Sequence, residues 1–494
     1  MPHCDCNKFI EKFRQFRHKL YTIIPNRRDT VMDLLDALSS NQAARSPVEL
    51  SLNPLFRRDY SALYKAIEQF NFNPDCTPGT GEGNRSTEET EQIKKQQALL
   101  PLITEVIPAP VQRDFYLFGL DVTPVPRPYA RTLQGRTFVY QPNAIKGNKP
   151  INIGHPYSIL SVLPERTDSD KAPWCIPLSA QRVLPHQKGT EVGSQQFETA
   201  LDNLNLPQDS LYVLVADSDY STPTFLGKNL GQDHVVIITR VRSNRIFYCQ
   251  PNSSDIKTYR RGHPRWYGNK FDLTDETTWH PPDEHVETKL TTRSGRELKV
   301  KIFCWQQMLM RGTKQYSLYQ HPFTLLRIQM TDVQGKQIWA PMWLLAIGQH
   351  RTQLSCLDIY QAYRQRFDLE HLLRFGKQRL LMGTFQTPEA EYEENWIQLT
   401  LLAYIQLWLA KGLAQHLPRP WERYLEQNLN INISPSGVQR DFTRIITSIG
   451  TPAKVPKTRG YSSGRAKGTS LKPRTRHQVI KKDKKRVPKS HNAA

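Results

Sequence analysis

Residues 211–217, LYVLVAD, run through six apolar positions and end on an acid. A strand with one wet face alternates polar and apolar residues. One that is apolar on both faces must be covered on both, as the central strands of α/β sheets are. HVVIITRV at 234–241 repeats the pattern. Upstream, DFYLFGLDVTPV (114–125), RTFVYQPN (136–143) and PYSILSVLP (156–164) are short β-rich runs bounded by Pro, Gly and Asn. A helical period fills about 193–204. Three strands, a helix, a buried strand and a further strand predict a mixed α/β sheet rather than a sandwich. KVKIFCW (299–305), FTLLRIQM (323–330) and IWAPMWLLAIG (338–348) then predict a β-rich stretch, preceded by the basic, aromatic YRRGHPRWYGNKF (259–271). The helical period returns over 354–382 and 396–414.

Working outward, residues from about 7 to 72 read as helical. Phe9, Phe13, Phe16 and Leu20 recur at helical spacing, and Val31, Leu34, Leu35 and Leu38 repeat it after Pro25. Lys8, Lys12, Arg14, Arg17, Lys19, Arg27, Arg28, Arg57 and Arg58 occupy the other faces, which suits either DNA contact or a solvated helix surface. Between 74 and 97 large apolar residues nearly vanish, the composition of a linker. The most apolar run, 396–410, is shorter than the ~20 residues needed to span a bilayer and predicts a buried helix, with no membrane partner. Seven cysteines, an odd number without paired spacing apart from Cys4 and Cys6, argue against a disulfide framework or zinc finger and fit a reducing, cytoplasmic compartment.

The 494-residue chain carries 67 Lys and Arg against 46 Asp and Glu, a net charge of +21. Such an excess is costly unless the partner is a polyanion. Fourteen of these cations lie in the last 44 residues, with Asp483 as the only acid there. That composition predicts a disordered basic tail adding salt-sensitive, nonspecific DNA affinity.

The stretch 358–381, DIYQAYRQRFDLEHLLRFGKQRLL, places chemistry on one helix face. At about 100° per residue, Tyr363, Arg366, Glu370 and Lys377 fall within an arc of about 60°. Arg366 and Glu370 alone would be an ordinary i,i+4 ion pair. Together the four satisfy Tyr-x2-Arg-x3-Glu-x6-Lys, which resembles the signature around the third catalytic acid of bacterial insertion-sequence transposases of the DDE type. The resemblance implies two upstream aspartates on an RNase H-like sheet. Asp121, after FYLFGL, and Asp217, ending LYVLVAD, satisfy it; Asp114 precedes its strand, and Asp219 reads as a solvated turn residue. The 153 residues from Asp217 to Glu370 resemble the insertion domain that such transposases place there.

The resemblance implies an RNase H-like mixed sheet flanked by helices, with a β-rich insertion domain and an N-terminal helical region. The expected organisation is 1–76 helical and DNA-binding, 77–100 linker, 101–240 first part of the catalytic core, 241–348 insertion, 349–447 second part, and 448–494 tail. It further implies two Mg²⁺ ions, replaceable by Mn²⁺. Asp121 would bridge them, Asp217 and Glu370 would hold one each, and Tyr363, Arg366 and Lys377 would contact DNA phosphates. Arg suits bidentate phosphate contact and Lys a point charge. Trp266 and Trp279 are candidates for stacking a flipped base, or for an ordinary β-domain core. The implied partners are double-stranded DNA (terminal inverted repeats and target) and a second copy of the chain in the DNA complex, at the nucleoid. The implied activity is cleavage of element ends and joining of the 3′-OH to target DNA. The alternatives are a metal nuclease of the same fold without strand transfer, and a non-catalytic DNA-binding derivative.

Overall fold

The computed structural model describes residues 3–72, 87–141, 150–166, 172–207, 209–251, 265–292, 295–415, 433–458, 464, 466–470 and 473–481, with side chains from residue 7. Its centre is a ten-stranded mixed sheet in the order β2-β3-β1-β5-β6-β12-β11-β10-β9, with β4 pairing β3. The strands are β1 (Phe115–Pro126), β2 (Thr137–Tyr140), β3 (Ile151–Val162), β4 (Ile176–Arg182), β5 (Leu211–Ala216), β6 (Val235–Val241), β9 (Glu284–Thr291), β10 (Glu297–Met308), β11 (Phe323–Asp332) and β12 (Met342–Ile347). A separate pair, β7 (Ile246–Tyr248) and β8 (Lys270–Asp272), forms a small ribbon. β1 runs antiparallel to β3 and parallel to β5, which is parallel to β6. This is the RNase H-like arrangement.

The two-faced apolar runs fill the middle, as their composition requires: Val213, Leu214, Val215, Val236, Ile237 and Ile238 are all buried. Helix α6 (Gly189–Asn203) lies close on one face, and the short α7 (Pro223–Asn229) packs beside it. A Cβ at Gly193 would meet Leu120 at 2.6 Å, so the absence of a side chain there is what lets α6 seat against β1.

The strands of 241–348 do not form a core of their own. β12 pairs antiparallel with β6, and β11, β10 and β9 continue the same sheet as a meander. The expected boundary at 240/241 therefore falls inside one sheet and one hydrophobic core. The reason is β6: without β12 its apolar length would end the sheet as an open hydrogen-bonding edge.

The N-terminal helices α1 (His3–Ile23), α2 (Arg28–Ser39), α3 (Pro47–Leu50) and α4 (Tyr60–Glu68) pack into the main body. Their apolar stripe meets α10 (Ala390–Ala410), the buried helix expected at 396–410. Several of the cations read as a DNA face are committed inside the fold. Arg17 is buried against Asp36 and Gln406, and Arg57 and Arg58 both bind Asp33. Among the described residues no helix is long and apolar enough to cross a membrane.

Two further readings change. The linker expected over 77–100 lies outside the described residues to 86 but is helical from there as α5 (Thr87–Thr104). Three of its polar side chains reach partners across the fold: Gln92 bonds Glu394, Lys95 bonds Asn395, and the buried Gln96 donates to the Gln196 carbonyl. In the tail, Ala453 is buried and the Lys454 N–H donates to Asp29. Further on, the N–H groups of His477 and Ile480 donate to the carbonyls of Arg131 and Arg136. Backbone hydrogen bonds, which composition does not encode, hold these pieces. Residues 482–494, with most of KKDKKR, lie outside the described residues.

Candidate active site

Parallel pairing of β1 with β5 matches Gly119 to Val215. Two positions further along each chain stand Asp121 and Asp217, so register alone places the two acids side by side. Asp121 lies on β1 itself, where its Oδ1 accepts the Val122 N–H at 2.9 Å. Asp217 follows β5 and caps the single turn Ser218–Tyr220, accepting the Asp219 N–H at 2.9 Å.

The third acid arrives on a helix that is broken where a single one was expected. α8 (Cys356–Gln365) and α9 (Phe367–Arg379) meet at Arg366. There the bonds shorten to i→i−3: Arg366 N–H to the Tyr363 carbonyl and Leu369 N–H to the Arg366 carbonyl. Glu370 stands in the first turn of α9, where the helix dipole favours a carboxylate.

Arg366 ties the site together. Its guanidinium reaches Asp121 Oδ2 at 3.5 Å and Glu370 Oε1 at 2.8 Å, and it lies 5.8 Å from the Tyr363 ring centre. Burial opposes its charge, yet Tyr363 and the three acids raise its pKa. Burial pushes the Asp121 carboxyl up to about 6. Arg366 pulls it back, while Asp217 and Glu370 add to the rise. Burial also raises Asp217. Lys377 is lowered by burial and partly restored by Asp121. The structure thus gathers Asp121, Asp217, Glu370, Tyr363, Arg366 and Lys377. The three carboxylates do not all approach within 4.8 Å, as the ligands of one ion would, and a cation already stands between two of them. Hard, anionic oxygen donors of this kind suit a divalent cation.

The elevated Asp121 pKa carries a stability consequence in metal-free protein. Its folded value of about 6 exceeds the unfolded value of about 3.9. The group therefore contributes stability that is fully present below about pH 4 and lost as pH rises through 6. Asp121→Asn should melt higher than wild type at pH 7.5, and the gap should shrink toward pH 4.5. Melting curves at the two pH values test this; a gap that widens on acidification would show that Asp121 is net stabilised as its anion.

Asp219 is exposed and paired with Arg242 at 2.5 Å, and Asp114 precedes β1. The two candidate tryptophans do not come together. Trp266 stacks on Tyr319, centroids 4.3 Å apart and planes 3° from parallel. Trp279 packs with Phe271, Trp305 and Trp343 under the Arg327 guanidinium, 4.7 Å away. It lines a cleft of about 590 Å³ that begins beside Asp217 at Ser218 and is walled by Arg240, Arg242, Arg327 and Trp343. The sequence reading missed these last four residues, although each cation interrupts or borders an apolar strand run. It also missed Tyr220, buried beside Asp121 and Asp217. Among the histidines, His155 is buried on β3, and the His280 Nδ1 faces Cys249 Sγ at 3.4 Å. Arg260, Arg261 and His263, and the Cys4 and Cys6 side chains, lie outside the described residues.

A family model described as DDE superfamily endonuclease matches residues 19–308. The match contains Asp121 and Asp217 and ends before α8 and α9. No curated protein matches the chain.

Proposed function

Because the chain belongs to the DDE superfamily endonucleases, we propose that it is the transposase of a bacterial insertion sequence, cleaving the ends of its element and joining the 3′-OH to target DNA. The observation that carries this reading is Arg366 held between Asp121 and Glu370, with Asp217 alongside. Two Mg²⁺ ions, or Mn²⁺ in their place, would stabilise the attacking and leaving oxygens of an in-line displacement at a phosphodiester. Asp121, set between the other two acids, would serve both ions, and Asp217 and Glu370 one each. Arg366 would turn from the carboxylates to the phosphate oxygens, where its planar fork fits two acceptors at once. Lys377 and Tyr363 would flank the same phosphate. The arginine-lined cleft beside Asp217 offers a path for the DNA backbone, and a homodimer would hold the two ends together.

The test is a joining assay. Linear DNA ending in the inverted repeats that flank the gene is incubated with protein, Mg²⁺ and a circular target, and products are sequenced. Target joined to both 3′ ends at staggered positions, leaving short single-stranded gaps, is the expected result. Cleaved ends without joined product would favour the nuclease reading, and binding without cleavage the non-catalytic one.

Arg366→Ala should lower cleavage by about 10²-fold or more, the usual loss when one preorganised donor to a developing charge is removed. The same change should tighten divalent-cation binding, because the guanidinium that neutralises Asp121 and Glu370 is gone. Calorimetric titration with Mn²⁺ reads the second effect. Weakened binding would mean that Arg366 shapes the acids rather than competing with a cation for them.

A further inference from the structure

Away from the carboxylates, a second group of ligand-type side chains converges from three elements. Cys304 on β10 and Glu284 on β9 are directly opposed across the strand pair. Cys356, the first residue of α8, joins them from the helical layer. Its Sγ lies 3.2 Å from Glu284 Oε2, and the two sulfurs and the carboxylate oxygen are all within 4.8 Å of one another. Both thiols are buried, at 0% and 3% exposure, while Glu284 opens to solvent. Among the described residues this is the one place where three such ligand atoms come so close.

We infer that Cys304, Cys356 and Glu284 form a binding site for a thiophilic divalent cation of the Zn²⁺ class, separate from the three acids proposed for catalysis. Metal–sulfur bonds of about 2.3 Å and metal–oxygen bonds of about 2.0 Å at a tetrahedral centre put sulfur and oxygen about 3.5 Å apart. The 3.2 Å separation of Cys356 and Glu284 is close to that edge. Binding would release the two thiol protons to solvent, leaving two thiolates and a carboxylate around the ion, with water in the fourth position on the Glu284 side. Ligand hardness sorts the two sites. Thiolates select Zn²⁺ and its congeners over Mg²⁺, and the all-oxygen cluster at Asp121 has the opposite preference. Sequence spacing conceals the site, because Cys304 and Cys356 lie far apart along the chain. Occupancy would pin β9 and β10 to the start of α8, the helix whose other end leads into Arg366.

The experiment is a Co²⁺ titration of reduced full-length protein in excess Mg²⁺. A thiolate-to-metal absorption band saturating at one Co²⁺ per chain, bleached by Zn²⁺, is expected. Cys304→Ser and Cys356→Ser should each abolish it, Cys249→Ser should leave it intact, and Glu284→Gln, at the surface, should weaken affinity about tenfold or more. Zn²⁺ should raise the melting temperature of wild type but not of the double serine variant. No thiolate band in the wild-type protein would overturn the inference, and that measurement needs no variant to fold. A band that persists in the double serine variant would overturn it equally.

Discussion

Glu370→Gln should lower strand cleavage by about a thousand-fold or more while DNA binding stays within a few-fold of wild type. The amide keeps the shape of the carboxylate and can still accept from Arg366, now 2.8 Å away. What it loses is the negative charge, and the proposed site depends on charge. Three carboxylates surround Arg366, Lys377 feels Asp121, and the rise of Asp121 to about 6 reflects burial first and its acidic neighbours next. A neutral ligand is a poor partner for a hard cation, which gains its affinity from anionic oxygen. A thousand-fold loss corresponds to about 4 kcal/mol of barrier. The fold should be indifferent, since the Glu370 side chain is 34% exposed and Arg366 keeps Asp121. Cleavage of end-bearing DNA in Mg²⁺, beside a binding titration in the absence of Mg²⁺, separates the two effects. Wild-type cleavage by the purified variant would remove Glu370 from the chemistry and leave Asp121 and Asp217 without their third partner.

The transposase resemblance singled out the acids of the proposed site, and local periodicities say which elements carry them. LYVLVAD announces a strand covered on both faces, and an acid at its end must emerge at the sheet's carboxyl edge. The parallel pairing of β1 with β5, which no local pattern specifies, is what brings Asp121 beside Asp217. Tyr363, Arg366, Glu370 and Lys377 share a helix face at ordinary spacing, and the break at Arg366 leaves them on one side. What was hidden depends on partners distant in sequence. α5 reads as a linker because two of its glutamines and a lysine bond across the fold instead of forming an apolar stripe. The strands of 241–348 carry ordinary alternation, which does not say whether they pair with each other or also with β6. Arg240, Arg327 and Trp343 come from three strands, and only tertiary pairing makes them one wall. The same holds for Arg17, read as a surface cation and found buried with Asp36.

Glu393→Ala should cost about 3–5 kcal/mol of stability, the largest folding effect expected of a single change. Glu393 stands near the start of α10 and is fully buried, as is its partner Arg127, just beyond β1. One carboxylate oxygen accepts from Arg127 Nε at 2.6 Å; the other meets His155 Nδ1 at 2.7 Å and the Tyr157 hydroxyl at 2.9 Å. His155 Nε2 continues to the Gln134 carbonyl, and Arg127 Nη1 donates to the carbonyls of Pro126 and Gly383. The network thus ties β3 and the end of β1, the strand that carries Asp121, to the helical layer. Burial works against the Glu393 anion, but His155, Arg127 and Tyr157 together hold its pKa below the ordinary value. Removing the carboxylate leaves a guanidinium inside the protein with no counter-charge, and that uncompensated charge is the main cost. Replacing both partners with apolar residues, as in Arg127→Met with Glu393→Leu, should recover much of the loss, because neither charge then remains to be desolvated. Chemical denaturation of the single and double variants, followed by circular dichroism, gives the comparison. A Glu393→Ala protein that unfolds at the wild-type denaturant concentration would mean that water or a shifted Arg127 replaces the carboxylate. The ends of β1 and β3 would then be held by apolar packing alone.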